Sequence, residues 1–165
     1  MLITLTGFMG SGKTTVGRIL ADALGCPFLD LDELIVKKAG KPIPDIFAED
    51  GEAAFRQLEA RLLKQTVEKY GEGTAVLSLG GGAVLAPASA TLVHEKTVCI
   101  YLRATLDTLT DRLAGESAGR PLADDAMAER LAAREPLYEK TAHVTIDTDG
   151  LSPEDVADEI IISAL

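Results

Sequence analysis

The sequence predicts a three-layer α/β domain, with helices packed on both faces of a parallel sheet. Three observations predict it. Short apolar runs alternate with longer amphipathic segments along the whole chain. Those apolar runs are continuous, as in strands covered on both faces. A glycine-rich turn links the first run to a helical pattern. The length of 165 residues with 47% apolar content suits one domain, 1–165, with a real core. Apolar residues are spread evenly, which excludes a disordered chain. No internal repeat, low-complexity tract or linker interrupts the pattern.

Taken in order, Leu2–Thr6 is the first strand, and Lys13–Leu24 follows as a helix with Val16, Ile19, Leu20 and Leu24 at helical spacing. Pro27–Leu31 is a second strand and Glu33–Ala39 a second helix. Glu52–Tyr70 is a long helix, because Phe55, Leu58 and Leu62 recur at spacings of three and four and build one stripe. Ala75–Leu79 is a strand and Pro87–Val93 a helix. Thr97–Leu102 is a strand holding Cys99 among buried neighbours. Helices at Leu106–Ala114 and Asp125–Thr141 precede a last strand, Val144–Asp147. The final helix, Pro153–Ala164, has a clear start: Ser152 as N-cap, Pro153 at the first helical position, and Glu154 and Asp155 in the first turn.

Sixteen basic residues against twenty-six acidic ones give a formal charge of −10. A surface of that sign argues against nucleic acid as a partner. It also requires any anion site to gather its few cations locally, since the overall field opposes anions. No apolar stretch approaches the roughly 18 residues of a membrane helix, so no membrane partner is expected. Met1–Met9 has no basic leader and runs into the glycine-rich turn, which does not fit a signal peptide. Cys26 and Cys99 make neither a metal spacing nor a disulfide framework, which predicts a reduced cytoplasmic protein. Cys26 reads as a packed loop residue, and His94 and His143 as residues without partners at ligand spacing. With no sustained coiled-coil seam, a monomer is expected.

The strongest local signal is Gly7-Phe8-Met9-Gly10-Ser11-Gly12-Lys13-Thr14, which fills the pattern G-x-x-x-x-G-K-[ST] between a strand and a helix. Glycines there let the backbone wrap a phosphate with its N–H groups, and the helix that follows adds its positive end. Lys13 would reach the β- and γ-phosphates, and the Thr14 hydroxyl would bind Mg²⁺. The motif assigns the phosphate donor and leaves the acceptor open.

Asp30 and Asp32 close the second strand, at the end where parallel sheets bind ligands. Two residues apart on a strand, they share a face. One would serve Mg²⁺ and the other would accept a hydrogen bond from an attacking hydroxyl. Asp32 also reads as a helix N-cap, with Asp30 a solvated strand end. Arg56 has Glu59 one turn on, an arrangement that makes a rigid fork for a carboxylate or an ordinary surface ion pair. Gly80-Gly81-Gly82 follows a buried strand, and three glycines exceed what a tight turn needs unless something approaches the backbone. Arg120 follows the small-residue stretch 115–119, as in a lid that closes on phosphates or an exposed loop.

These pieces carry a resemblance. The phosphate loop, Asp30-Leu31-Asp32, Asp45-Ile46-Phe47-Ala48-Glu49-Asp50-Gly51-Glu52, Phe55-Arg56-Gln57-Leu58-Glu59, Ser78-Leu79-Gly80-Gly81-Gly82-Ala83, Arg120-Pro121-Leu122 and Arg134-Glu135-Pro136-Leu137-Tyr138 stand in the order found in shikimate kinases. The chain resembles that family over essentially its whole length. The resemblance implies a P-loop kinase fold with a five-stranded parallel sheet, a substrate-binding helical region at about 32–60 and a mobile lid at about 115–126. It implies ATP as phosphate donor, Mg²⁺ as cofactor and the 3-hydroxyl of shikimate as acceptor. Lys13, Asp32 and Arg120 would be catalytic. Gly10, Ser11, Gly12, Lys13, Thr14, Thr15, Arg112, Arg120 and Pro153 would hold ATP, with Arg112 against adenine. Asp32, Phe47, Phe55, Arg56, Glu59, Gly80, Gly81, Gly82 and Arg134 would line the shikimate site, and Thr14 and Asp30 would serve the metal.

Two details depart from the family pattern: the lid looks short, and no basic residue stands near Leu151. A kinase for another polyol acid such as gluconate is the alternative enzyme. A nucleotide- or shikimate-sensing domain without turnover is the alternative of another class. No N-K-x-D sequence supports a GTP switch.

Overall fold

The computed structural model describes residues 1–116 and 125–165. In chain order the elements are β1 (Leu2–Thr6), α1 (Lys13–Leu24), β2 (Phe28–Asp30), α2 (Leu31–Ala39), α3 (Ile43–Asp50), α4 (Glu52–Lys69) and β3 (Ala75–Ser78). They continue with α5 (Pro87–Lys96), β4 (Val98–Arg103), α6 (Leu106–Glu116), α7 (Asp125–Thr141), β5 (Val144–Asp147) and α8 (Pro153–Ala164). All five strands are parallel, in the order β2-β3-β1-β4-β5.

Strand alternation sorts the core into two layers. Ile3 and Leu5 of β1, Val76, Ile100, Leu102 and Ile146 face α1 and α8. Leu2, Ala75, Leu77, Cys99 and Tyr101 face the opposite layer, which includes α2, α4, α5 and α7. On the first side Val16 and Leu20 of α1 and Val156 and Ile160 of α8 are fully buried. Each such side chain contributes about 1.5–3 kcal/mol, so the helix leaving the glycine-rich turn is firmly seated. Ser152 caps α8 as its sequence predicts, accepting from the Asp155 N–H at 3.1 Å.

The connection from β1 runs out to β2, whereas the one from β3 crosses β1 to reach β4. Strands that diverge this way leave a crevice at their carboxyl ends. The phosphate loop leaves β1 there, the triple glycine leaves β3, and Asp30 ends β2 beside them.

Helix α3 falls within the helical region at about 32–60 that the resemblance implies, in a stretch where periodicity marked no helix; Pro42 precedes it, Pro44 sits in its first turn and Gly51 ends it. Two sequence expectations, both at the start of α2, are corrected. Helix α2 begins at Leu31, so Asp32 is not on a strand and does not share a strand face with Asp30. The N-cap of α2 is Asp30 rather than Asp32, with the Asp30 carboxylate accepting from the N–H groups of Asp32 and Glu33. His94 and His143, expected to lack partners at ligand spacing, make structural contacts. Their rings stack with centroids 4.5 Å apart, and His143 Nδ1 accepts from the Cys99 N–H at 3.0 Å. Cys26 packs at the edge of the α1/α8 layer, as expected of a loop residue.

Candidate active site

Gly10 and Gly12 of the phosphate loop both adopt left-handed backbone, with φ of 82° and 94°. A side chain at Gly10 would also press on Leu113 of α6, at 3.1 Å. Glycine is what allows the loop to curl this tightly against α6 and enter α1. Lys13, at the start of α1, bends back so that its ammonium donates to the carbonyls of Gly7 (2.7 Å) and Phe8 (3.0 Å). Burial lowers its pKa to about 8, against the opposing pull of Asp32 and Asp30, with Arg134 adding to the decrease.

Thr14 Oγ1 donates to Asp30 Oδ2 at 3.2 Å. The other oxygen of Asp30 caps α2, so a single carboxylate ties the phosphate loop to the first turn of that helix. A hydroxyl and a carboxylate oxygen side by side suit a hard cation that keeps several waters and takes further oxygens from phosphates. Among the described residues no group of three or more histidines, cysteines or acids forms a metal cage.

Across the cleft the triple glycine meets four charged side chains, Asp32 and Glu59 at Gly80, Arg134 at Gly81 and Arg56 at Gly82. A methyl group on Gly80 would lie 2.9 Å from Asp32 Oδ1, and on Gly81 3.5 Å from Arg134 Nη1. On Gly82 it would lie 2.5 Å from Arg56 Nη1 and 2.6 Å from Nη2. The glycines thus bring two carboxylates and two guanidiniums against the backbone from α2, α4 and α7. Among these groups Arg56 Nη1 donates to Glu59 Oε1 at 2.9 Å. Glu59 is only 4% exposed, which rules out an ordinary surface pair. Burial raises the Glu59 pKa, and the Arg56 bond works against that rise.

Asp32 is likewise pushed above the usual carboxylate range, first by burial and then by Asp30, with Lys13 and Arg56 opposing. Arg134 lies over the Phe8 ring at 5.8 Å, so it belongs to the cleft and not to a solvated helix face. The Phe47 and Phe55 rings pack 4.7 Å apart, with Phe47 36% exposed and free to cover an apolar face of a ligand.

The cleft between the two loops measures about 300 Å³ and is lined by Lys13, Thr14, Thr15, Asp30, Asp32, Gly80 and Gly81, among others. A second hollow of about 240 Å³ adjoins it through Gly10, Gly12 and Thr15, and takes in Ser11, Arg112, Leu151 and Pro153. Arg112 is held there by three bonds of 3.2 Å, to the Gly10 carbonyl and to the hydroxyl and carbonyl of Thr148. Thr148 is fully buried and was not singled out from the sequence; a lone threonine after a strand carries no signal. A larger hollow, about 480 Å³, lies between α5 and α7 and contains none of the predicted residues. Arg120 lies outside the described residues, as does most of the expected lid. Among the described residues no helix is long and apolar enough to cross a membrane.

Comparison with known proteins matches residues 9–164 to the shikimate kinase family model. The shikimate kinase of Enterococcus faecalis is 43% identical over 164 residues, covering 96% of this chain and 95% of its own. That of Limosilactobacillus fermentum is 44% identical over 165 residues, covering 98% and 94%. A solved structure of Acinetobacter baumannii shikimate kinase in complex with shikimate superposes with a TM-score of 0.85 at 34% identity, over 97% of this chain and 90% of that one. With the five-stranded parallel sheet, the phosphate loop and matches along nearly its entire length, this chain belongs to the shikimate kinase family.

Proposed function

We propose that the protein transfers the γ-phosphoryl group of ATP to the 3-hydroxyl of shikimate, as one kinase domain with its acceptor region at about 32–60. The observation that carries this reading is the triple glycine, which brings Asp32, Arg134 and Arg56 together opposite Lys13. A carboxylate beside two guanidiniums suits an acceptor that is both an acid and a polyol.

Arg56 and Arg134 hold the acceptor's carboxylate, and Glu59 fixes the angle of the Arg56 fork. Phe47 and Phe55 cover its apolar face, while Gly80, Gly81 and Gly82 leave room for it. Asp32 accepts the hydrogen bond of the reacting hydroxyl and takes its proton. The environment that raises its pKa makes it a better proton acceptor than an exposed aspartate. Lys13 exchanges its carbonyl partners for phosphate oxygens and neutralises charge that builds as phosphorus moves. Gly10, Ser11, Gly12 and Thr15 bind phosphate through the loop backbone and the start of α1, and Arg112 with Pro153 borders the base. Arg120 is assigned to the transferring phosphate on its motif. Thr14 and Asp30 would hold Mg²⁺, which supplies further charge neutralisation on the phosphates when bound. The protein acts in the cytoplasm as a monomer.

The test is ADP release from Mg-ATP in a coupled assay with shikimate, gluconate, nucleoside monophosphates or no acceptor. Stimulation by shikimate alone is expected. Stimulation by gluconate instead would keep the kinase chemistry and replace the acceptor. ATP binding without stimulation by any acceptor would overturn the catalytic reading in favour of a sensor.

A further inference from the structure

We infer that Tyr138 is a positioning residue for the acceptor site: its hydroxyl fixes the triple-glycine loop and, through that loop, the placement of Asp32, Arg56 and Arg134. The inference rests on the acceptor reading above and adds a residue to it.

The need for such a group follows from the loop itself. Gly80 to Gly82 have no side chains to lodge in the core, and glycine flanked by glycine has the least hindered backbone in a protein. Two of the three carbonyls are held by local turns: Gly80 accepts from the Ala83 N–H at 3.1 Å, and Gly82 from the Leu85 N–H at 3.2 Å. The Gly81 carbonyl instead accepts from the Tyr138 hydroxyl, at 2.5 Å. Without that bond, the peptide between Gly81 and Gly82 has glycine on both sides and is free to turn over. Turning it would reverse the Gly82 N–H and shift the surface against which Arg134 and Arg56 rest.

Tyr138 is well placed to hold the loop still. It is fully buried, and its ring packs 5.1 Å from Tyr101 in β4. It lies on α7 one turn after Arg134, so one helix presents both the guanidinium and the tether. Burial raises the pKa of the hydroxyl and the neighbouring Arg134 opposes that rise. Arg134 and Tyr138, one turn apart on α7, thus both reach the loop at Gly81.

Tyr138→Phe removes the hydroxyl and keeps the ring, so packing against Tyr101 survives. The expected result is a KM for shikimate raised about tenfold, as loss of one buried hydrogen bond implies, with the KM for ATP and the Tm little changed. Amide hydrogen exchange over residues 79–86 should accelerate while β1 stays protected. An unchanged shikimate KM would overturn the inference. So would equal rises in both KM values with a fallen Tm, which would mark Tyr138 as a general packing residue. Wild-type protein that does not turn over shikimate would sink the acceptor reading alone; the exchange measurement would then still decide whether Tyr138 tethers the loop.

Discussion

The two halves of the cleft are built in opposite ways. The proposed phosphate half comes mainly from one unbroken stretch, Gly7–Thr14, and on that proposal works mainly through backbone N–H groups and one lysine. The acceptor half is gathered from α2, α4, the loop after β3, and α7, and works through charged side chains that meet over glycines. A contiguous loop has its geometry set by local dihedrals and the helix that follows. A gathered site depends on how several helices pack, so it tolerates less change at its points of contact.

The comparison is broken most directly at Lys13. Lys13→Met should lower kcat by about 10³-fold, since one preorganised cation on the phosphates is removed. The coupled assay checks this, with the KM for shikimate expected to stay near its wild-type value. Asp32→Asn keeps shape and removes the proton acceptor, and should lower kcat by about 10²-fold. Calorimetric titration should show ATP binding unchanged in that variant; weaker ATP binding would mean Asp32 belongs to both halves.

Gly82→Ala sharpens the contrast, because the three atoms nearest its methyl would all belong to the Arg56 guanidinium. An overpacking penalty of about 1–3 kcal/mol should appear as a shikimate KM raised at least about fivefold, with the ATP KM unmoved. Equal changes in both would show that the halves are not separable.

The smallest effect concerns pH. The folded protein loses the Lys13 proton at about 8, whereas a lysine in the unfolded chain keeps it to 10.5. Between those values the unfolded state binds more protons, so Lys13 makes stability rise with pH across that window. The wild-type Tm should therefore gain on that of Lys13→Met from pH 8 to pH 10. Nucleotide affinity should move the other way, falling as the ammonium is lost. A parallel Tm profile in the two proteins would remove the unfavourable burial of Lys13 from the account.

Much of this was legible in the residues themselves. Strand–helix alternation and the continuous apolar runs carried the sheet, and the phosphate loop announced itself because its chemistry is local. Helix α3 was less legible from periodicity: Pro42 and Pro44 flank Ile43 at the start of a run only eight residues long, and the resemblance alone marked the stretch as helical. Asp30 and Asp32 were correctly joined to one cleft, but by the wrong route, since α2 starts one residue after the strand ends and turns Asp32 by helical geometry. Tyr138 and the stacked pair His94 and His143 were beyond reach of spacing. Their partners lie 57 and 47 or 44 residues away, in contacts that only packing creates.

Asp30 has a consequence of its own. One of its oxygens touches Thr14 and the other steadies the turn that carries Asp32, so the same side chain would link the proposed metal–nucleotide and acceptor sites. A cation drawing on the first oxygen alters what the second can give to α2, which makes the grip on metal–nucleotide and the grip on acceptor mutually dependent. Linkage requires that dependence to be equal in both directions. Whichever ligand arrives first changes its companion's affinity by the same factor. Order of loading then governs how quickly the ternary complex forms, and leaves its equilibrium stability untouched.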